Sequence, residues 1–192
     1  MIGREASDQG KERMGSSGLV RWGAVSLILG GAAWIVLGLT AVFGYLQAIP
    51  GREDVALFGV ALLLTAAGLV GLHALQGGSY GLLGRVGLYV ALAAVAARIS
   101  GAVVFLAGSS ALEWLSRPGT LAMLVGFVLY GLATLRARVL PRWYGLALIV
   151  CMPVSLPLAV YGTALFGLIL VVLGFVLRSR KGTTTGQPPR VR

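Results

Sequence analysis

Charge is missing from long runs of this chain. Residues 22–51, 55–84, 118–135 and 143–177 hold no Asp, Glu, Lys or Arg, and residues 86–112 hold one, Arg98. A helix crossing the hydrocarbon core of a bilayer needs about 20 apolar residues, and each run is near or above that length. Inside lipid the backbone must satisfy its own hydrogen bonds, which leaves helices or closed barrels. Barrel strands alternate polar and apolar positions, and runs such as Ala61-Leu62-Leu63-Leu64 and Leu168-Ile169-Leu170-Val171-Val172-Leu173 do not alternate. The pattern predicts an all-α, polytopic transmembrane bundle of six helices arranged as three hairpins. The predicted spans are 22–46, 55–76, 84–108, 118–135, 143–156 and 159–178.

The last two spans share one charge-free run of 35 residues. As a single helix it would be about 52 Å long, against a hydrocarbon core of about 30 Å. Pro153 and Pro157 interrupt its middle, where proline breaks or kinks a helix. Two short helices joined by a tight turn between Pro157 and Gly162 fit better than one rod.

Composition agrees. Hydrophobic residues make up 57% of the 192 and charged residues 11%, where soluble domains carry about 25% charged. The first apolar stretch, Trp22 to Gln47, is longer than the apolar region of a secretory signal, about 7–15 residues, and reads as a retained helix. Residues 1–18 and 182–192 are polar and Gly-, Ser-, Thr- or Pro-rich, and read as disordered cytoplasmic tails. They flank a transmembrane domain over 19–181. The loops are short, and the longest outer one, about 109–117, places Trp114 at headgroup depth.

The basic residues orient the bundle. With six helices, thirteen of the 16 Lys and Arg residues fall on the side of the termini, only Arg52 and Arg117 fall on the other, and Arg98 lies between. Positive residues mark the cytoplasmic side, so both termini are expected there. The net charge of +10 then forms a rim facing anionic lipid headgroups. A nucleic-acid partner is not expected, because it needs a basic patch on a folded, water-exposed surface.

Arg21-Trp22-Gly23, Arg85-Val86-Gly87 and Arg142-Trp143-Tyr144-Gly145 each open an odd-numbered helix, a faint repeat that the positive-inside rule accounts for. The segment Val139-Leu140-Pro141-Arg142-Trp143-Tyr144-Gly145-Leu146 resembles a loop recurrent in uncharacterised small bacterial multi-pass membrane proteins. Gly81-Leu82-Leu83-Gly84-Arg85-Val86-Gly87 and Tyr161-Gly162-Thr163-Ala164-Leu165-Phe166-Gly167 are similar to other stretches of such proteins. The three-hairpin layout also resembles that of the bacterial acid-resistance membrane protein family. The resemblance implies a location in the bacterial inner membrane and brings no activity.

Arg98 is the residue to explain. Thirteen residues from Arg85 place it about 20 Å into the third helix, near mid-membrane. An arginine there costs roughly 2.5–3.5 kcal/mol on insertion scales and should face protein or a wet cavity. Small residues at helical spacing, Ala91, Ala94, Gly101 and Ala102 among them, suit close packing on the same face. No predicted span holds an acid. The candidate partners are Asp54 and Glu113 of the outer loops, the Ile149 carbonyl freed by Pro153, and Thr65 at suitable depth. Either Arg98 binds an anion or lipid, with Thr65 and Pro153 beside it, or it is an internal tie between helices.

Little else carries chemistry. The single histidine, His73, and the single cysteine, Cys151, supply no ligand set for zinc or haem, so no metal or cofactor is expected. Ser109 and Ser110 lie across the membrane from His73, out of reach for nucleophile and base. The chain is not expected to be an enzyme. Ala24, Gly31 and Gly38 repeat every seven residues on helix 1, as Gly167 and Gly174 do on helix 6. These stripes suit close helix contacts within the chain or between copies, so a homo-oligomer stays open. The leading expectation is a non-catalytic structural, stress-response or accessory membrane protein. Its competitor is a small transporter or a lipid- or anion-binding protein using Arg98.

Overall fold

The apolar runs fold as helices because no other backbone arrangement without barrel closure satisfies itself in lipid. The computed structural model describes residues 2–43, 51–76, 81–109, 111 and 113–179. It holds six α-helices: α1 (Ile2–Phe43), α2 (Arg52–Gln76), α3 (Gly81–Leu106), α4 (Ser116–Ala137), α5 (Arg142–Ser155) and α6 (Ala159–Ser179), with a 3₁₀ turn at Glu113–Leu115 before α4. Among the described residues there is no strand. Five helices contain segments long and apolar enough to cross a membrane: Gly18–Phe43, Arg52–Gln76, Gly81–Leu106, Arg117–Ala137 and Tyr161–Ser179. The sixth, α5, has 14 residues and reaches about 21 Å.

The helix ends differ from the charge-free runs for local reasons. Helix α2 starts at Arg52, because Glu53 and Asp54 occupy its first turn, where carboxylates meet the positive end of the helix dipole. Asp54 also accepts the Gly51 N–H at 3.1 Å. Helix α3 closes in a Schellman motif: Gly108 takes a left-handed φ of 84°, its N–H bonds the Phe105 carbonyl at 2.9 Å, and the Ser109 N–H bonds Val104 at 3.1 Å. Helix α4 ends on Arg138, also left-handed with φ 52°. The backbone of α1 is helical back to Ile2, through the polar segment that composition reads as a tail. The second tail, 182–192, lies outside the described residues.

The 35-residue apolar run folds as two antiparallel helices. Near one end of the pair the Tyr144 hydroxyl donates to the Leu173 carbonyl at 3.0 Å. At the other end Gly162 backs onto Ser155 so tightly that a Cβ at position 162 would stand 1.7 Å from the Ser155 carbonyl oxygen. Pro157 falls in the turn between them, and Pro153 sits on the exposed side of α5.

The six helices close into a ring in the order α1, α2, α3, α4, α5, α6, with α6 packed back on α1. Neighbours run antiparallel throughout. Gly23 meets Gly71 across α1 and α2, Gly87 meets Tyr130 across α3 and α4, and Gly131 meets Gly145 across α4 and α5. The closing seam uses the stripes found in the sequence. Gly31 lies against Gly167, Gly38 against Ala164, and Gly174 against Ala24. A Cβ on Gly31 would stand 2.5 Å from the Gly167 carbonyl oxygen, so only glycine permits this backbone approach. Because α1 and α6 are antiparallel, the start of the first span and the end of the last share one end of the bundle. We call this the terminal end and the opposite one the distal end. Arg21, Arg85, Arg136, Arg138, Arg142 and Arg178 lie at the terminal end, and Arg52 and Arg117 at the distal end.

Candidate functional site

The ring interior is lined by residues at heptad spacing. Phe58, Leu62, Thr65, Leu69, Leu72 and Gln76 come from α2, Leu88, Ala91, Val95 and Arg98 from α3, and Met123, Phe127, Tyr130 and Thr134 from α4. All but Phe58 and Arg98, which are half-buried, are buried. Four aromatic rings from four helices meet along this interior. Trp34 stands edge-on to Phe58 and to Phe166, each at 5.4 Å between centroids, and Phe166 reaches Phe127 at 5.7 Å. Trp34 is about 18 Å along α1 from Trp22 and about 14 Å short of Phe43, so the cluster fills the middle of the ring.

Polar side chains enter the interior at three levels. Toward the terminal end, the Gln76 amide donates to the Thr134 hydroxyl at 2.9 Å, and Thr134 donates to the Tyr130 carbonyl at 2.9 Å. In the middle, the Trp34 indole N–H donates to Thr65 at 3.0 Å, and Thr65 donates to the Ala61 carbonyl at 2.7 Å. Toward the distal end stands Arg98. The first two levels pair neutral groups across helices, Gln76 with Thr134 and Trp34 with Thr65.

Arg98 belongs to the inward stripe of α3, following Ala91, Ala94 and Val95, which are at most 3% exposed. Its Nη1 donates to the Thr120 hydroxyl on α4. The guanidinium lies over the Phe58 ring of α2, with Cζ 4.8 Å from the centroid, a distance at which a cation is drawn to the ring face. Its aliphatic stem runs over Gly119, where a Cβ would come within 2.9 Å of Arg98 Cγ. The Nε–H is covered and has no acceptor. Among the described residues the Thr120 bond is the only hydrogen bond of the Arg98 side chain, and no carboxylate pairs with it. The side chain leans distally: its Cα is about 12 Å from the end of α3, while Thr120 is only about 6 Å from the start of α4.

The residues proposed from sequence to surround Arg98 are not brought together. Thr65 lies seven positions along α2 from Phe58, about 10 Å deeper, and its hydroxyl serves Trp34 and Ala61. Pro153 is exposed on α5, whereas α3 packs on α2 and α4. The Asp54 carboxylate takes the Gly51 N–H. The Glu113 side chain lies outside the described residues. Thr120, Gly119 and Phe58, the actual neighbours, carry no signal in the sequence that separates them from other small or aromatic residues of the bundle.

At the distal surface Trp114 is 68% exposed, as its loop position predicts. At the terminal end Trp22 and Trp143 are exposed, which gives both ends the interfacial aromatics typical of membrane helices. Comparison with protein-family models, with characterised proteins and with solved structures gives no match to this chain.

Proposed function

We propose that the chain is a multi-pass protein of the bacterial inner membrane that works without catalysis, as a structural, stress-response or accessory component, with both termini cytoplasmic. The supporting observation is the filled axis of the ring. Trp34, Phe58, Phe127 and Phe166 interlock where a transport path would run, and Thr65 and Thr134 tie Trp34 and Gln76 of neighbouring helices to the same interior. Placement of six arginines at the terminal end and two at the distal end supports the orientation through the positive-inside rule. Its partner is then the bilayer itself, with anionic headgroups at the basic rim. Liposomes containing purified protein should leak chloride, phosphate and protons no faster than empty liposomes. A saturable flux would overturn the reading.

A second reading is favoured by one observation: Arg98 is a cation within the ring whose side chain makes a single hydrogen bond and has no described counter-ion. Intramembrane charge of this kind is ordinarily paired. In this reading Arg98 holds an anion or lipid at the distal mouth of the bundle. Binding of anions by wild-type protein and not by Arg98→Gln tests it.

A further inference from the structure

We propose that Arg98, Thr120, Gly119 and Phe58 form a binding site for a phosphate-type oxyanion at the distal mouth between α2, α3 and α4. The inference rests on the second reading above and names its ligand class and its positioning residues.

An arginine fork binds an oxyanion best through two parallel N–H donors. Here Nη1 is occupied by Thr120, which leaves the Nε–Nη2 edge. That edge has no acceptor among the described residues, and its Nε is a buried, unsatisfied donor. A charged donor left in this state is more costly than a neutral one. A ligand with two oxygens on one centre supplies both acceptors at once. Phe58 closes the face of the guanidinium away from the ligand edge by cation–π contact.

Gly119 has a distinct role. Nε is covered, so the second bond of the fork forms as the guanidinium turns toward the mouth. A Cβ at position 119 would stand 2.9 Å from Cγ and 3.7 Å from Cδ of Arg98, so glycine leaves the stem room to turn. The distal location argues for phosphate chemistry. Thr120 is one helical turn from Arg117 at the start of α4, the depth from which an arginine snorkels to headgroup phosphates. Arg117 adds a second positive charge at the same rim. The phosphate comes either from a phospholipid of the distal leaflet or from solution.

Native mass spectrometry of delipidated protein decides the matter, with phosphatidylglycerol, inorganic phosphate and oleate as separate probes. Wild type, Arg98→Lys and Gly119→Ala are compared at equal monodispersity and thermal stability. Wild type should take up one phosphatidylglycerol or one phosphate. Both variants should bind at least about tenfold more weakly, the equivalent of one lost charge-assisted hydrogen bond. Displacement of phosphatidylglycerol by inorganic phosphate would assign the site to free anion, and resistance to displacement would assign it to lipid. Specific uptake of oleate alone would overturn phosphate as the ligand and leave anion binding standing. Uptake of no probe, or equal uptake by all three proteins, would overturn both. If Arg98→Lys does not fold, Gly119→Ala, which keeps the arginine, carries the comparison.

Discussion

The indole of Trp34 on α1 donates to the hydroxyl of Thr65 on α2 at 3.0 Å, both buried in the ring, one of them within the aromatic cluster. This bond ties the two helices at a depth where no water can replace it. Thr65→Val keeps the shape and removes the acceptor. We expect a loss of about 1 kcal/mol, in the range found for interhelical hydrogen bonds in membranes. Thr65→Ser should retain most of the wild-type stability. Reversible unfolding in mixed micelles measures both, and equal stability of Thr65→Val and wild type would show the bond to be neutral.

The α1·α6 seam should be intolerant of bulk. Gly31→Leu or Gly167→Leu places side-chain atoms where the opposing backbone already stands, and overpacking of this kind costs roughly 1–3 kcal/mol. Gly59→Leu is the matched control, since a Cβ there meets nothing within 4 Å, and it should melt with wild type. A Gly31→Leu protein as stable as Gly59→Leu would contradict the seam.

Cys151 has no exposed surface. A membrane-permeant maleimide should therefore leave the folded protein unlabelled and react only on unfolding. The labelling midpoint on heating should coincide with loss of tertiary signal. Rapid labelling of native protein would mean that α5 opens locally.

The silence of Cys151 makes the topology easy to read. Trp114→Cys and Ser179→Cys place exposed thiols at opposite ends of the bundle. In intact cells an impermeant maleimide should label the first and not the second. The reverse result would invert the proposed orientation.

Helix number and approximate extent were legible in the sequence because lipid punishes stray charge along every span. The turn at Pro157 was legible for the same reason, since a 35-residue rod does not fit the bilayer. The glycine stripes of α1 and α6 were visible, though not that they meet each other. The neighbours of Arg98 were not legible. In a membrane bundle the lipid face and the core face are both apolar, so no amphipathic stripe reveals how each helix is turned. Thr65 looked suitable for Arg98 by depth alone, and the ring places Trp34 against it instead. Depth follows from counting residues; rotation about the helix axis follows only from packing.

Ring closure by the first and last helices also sets an order of events during synthesis. The Gly31 and Gly38 face of α1 has no partner until α6 has emerged, so until then that face must be covered by lipid or by the insertion machinery. A chain arrested before residue 159 is an open horseshoe with its narrowest, most backbone-exposed edge uncovered. Helix α6 is thus the segment that turns a row of hairpins into a closed body.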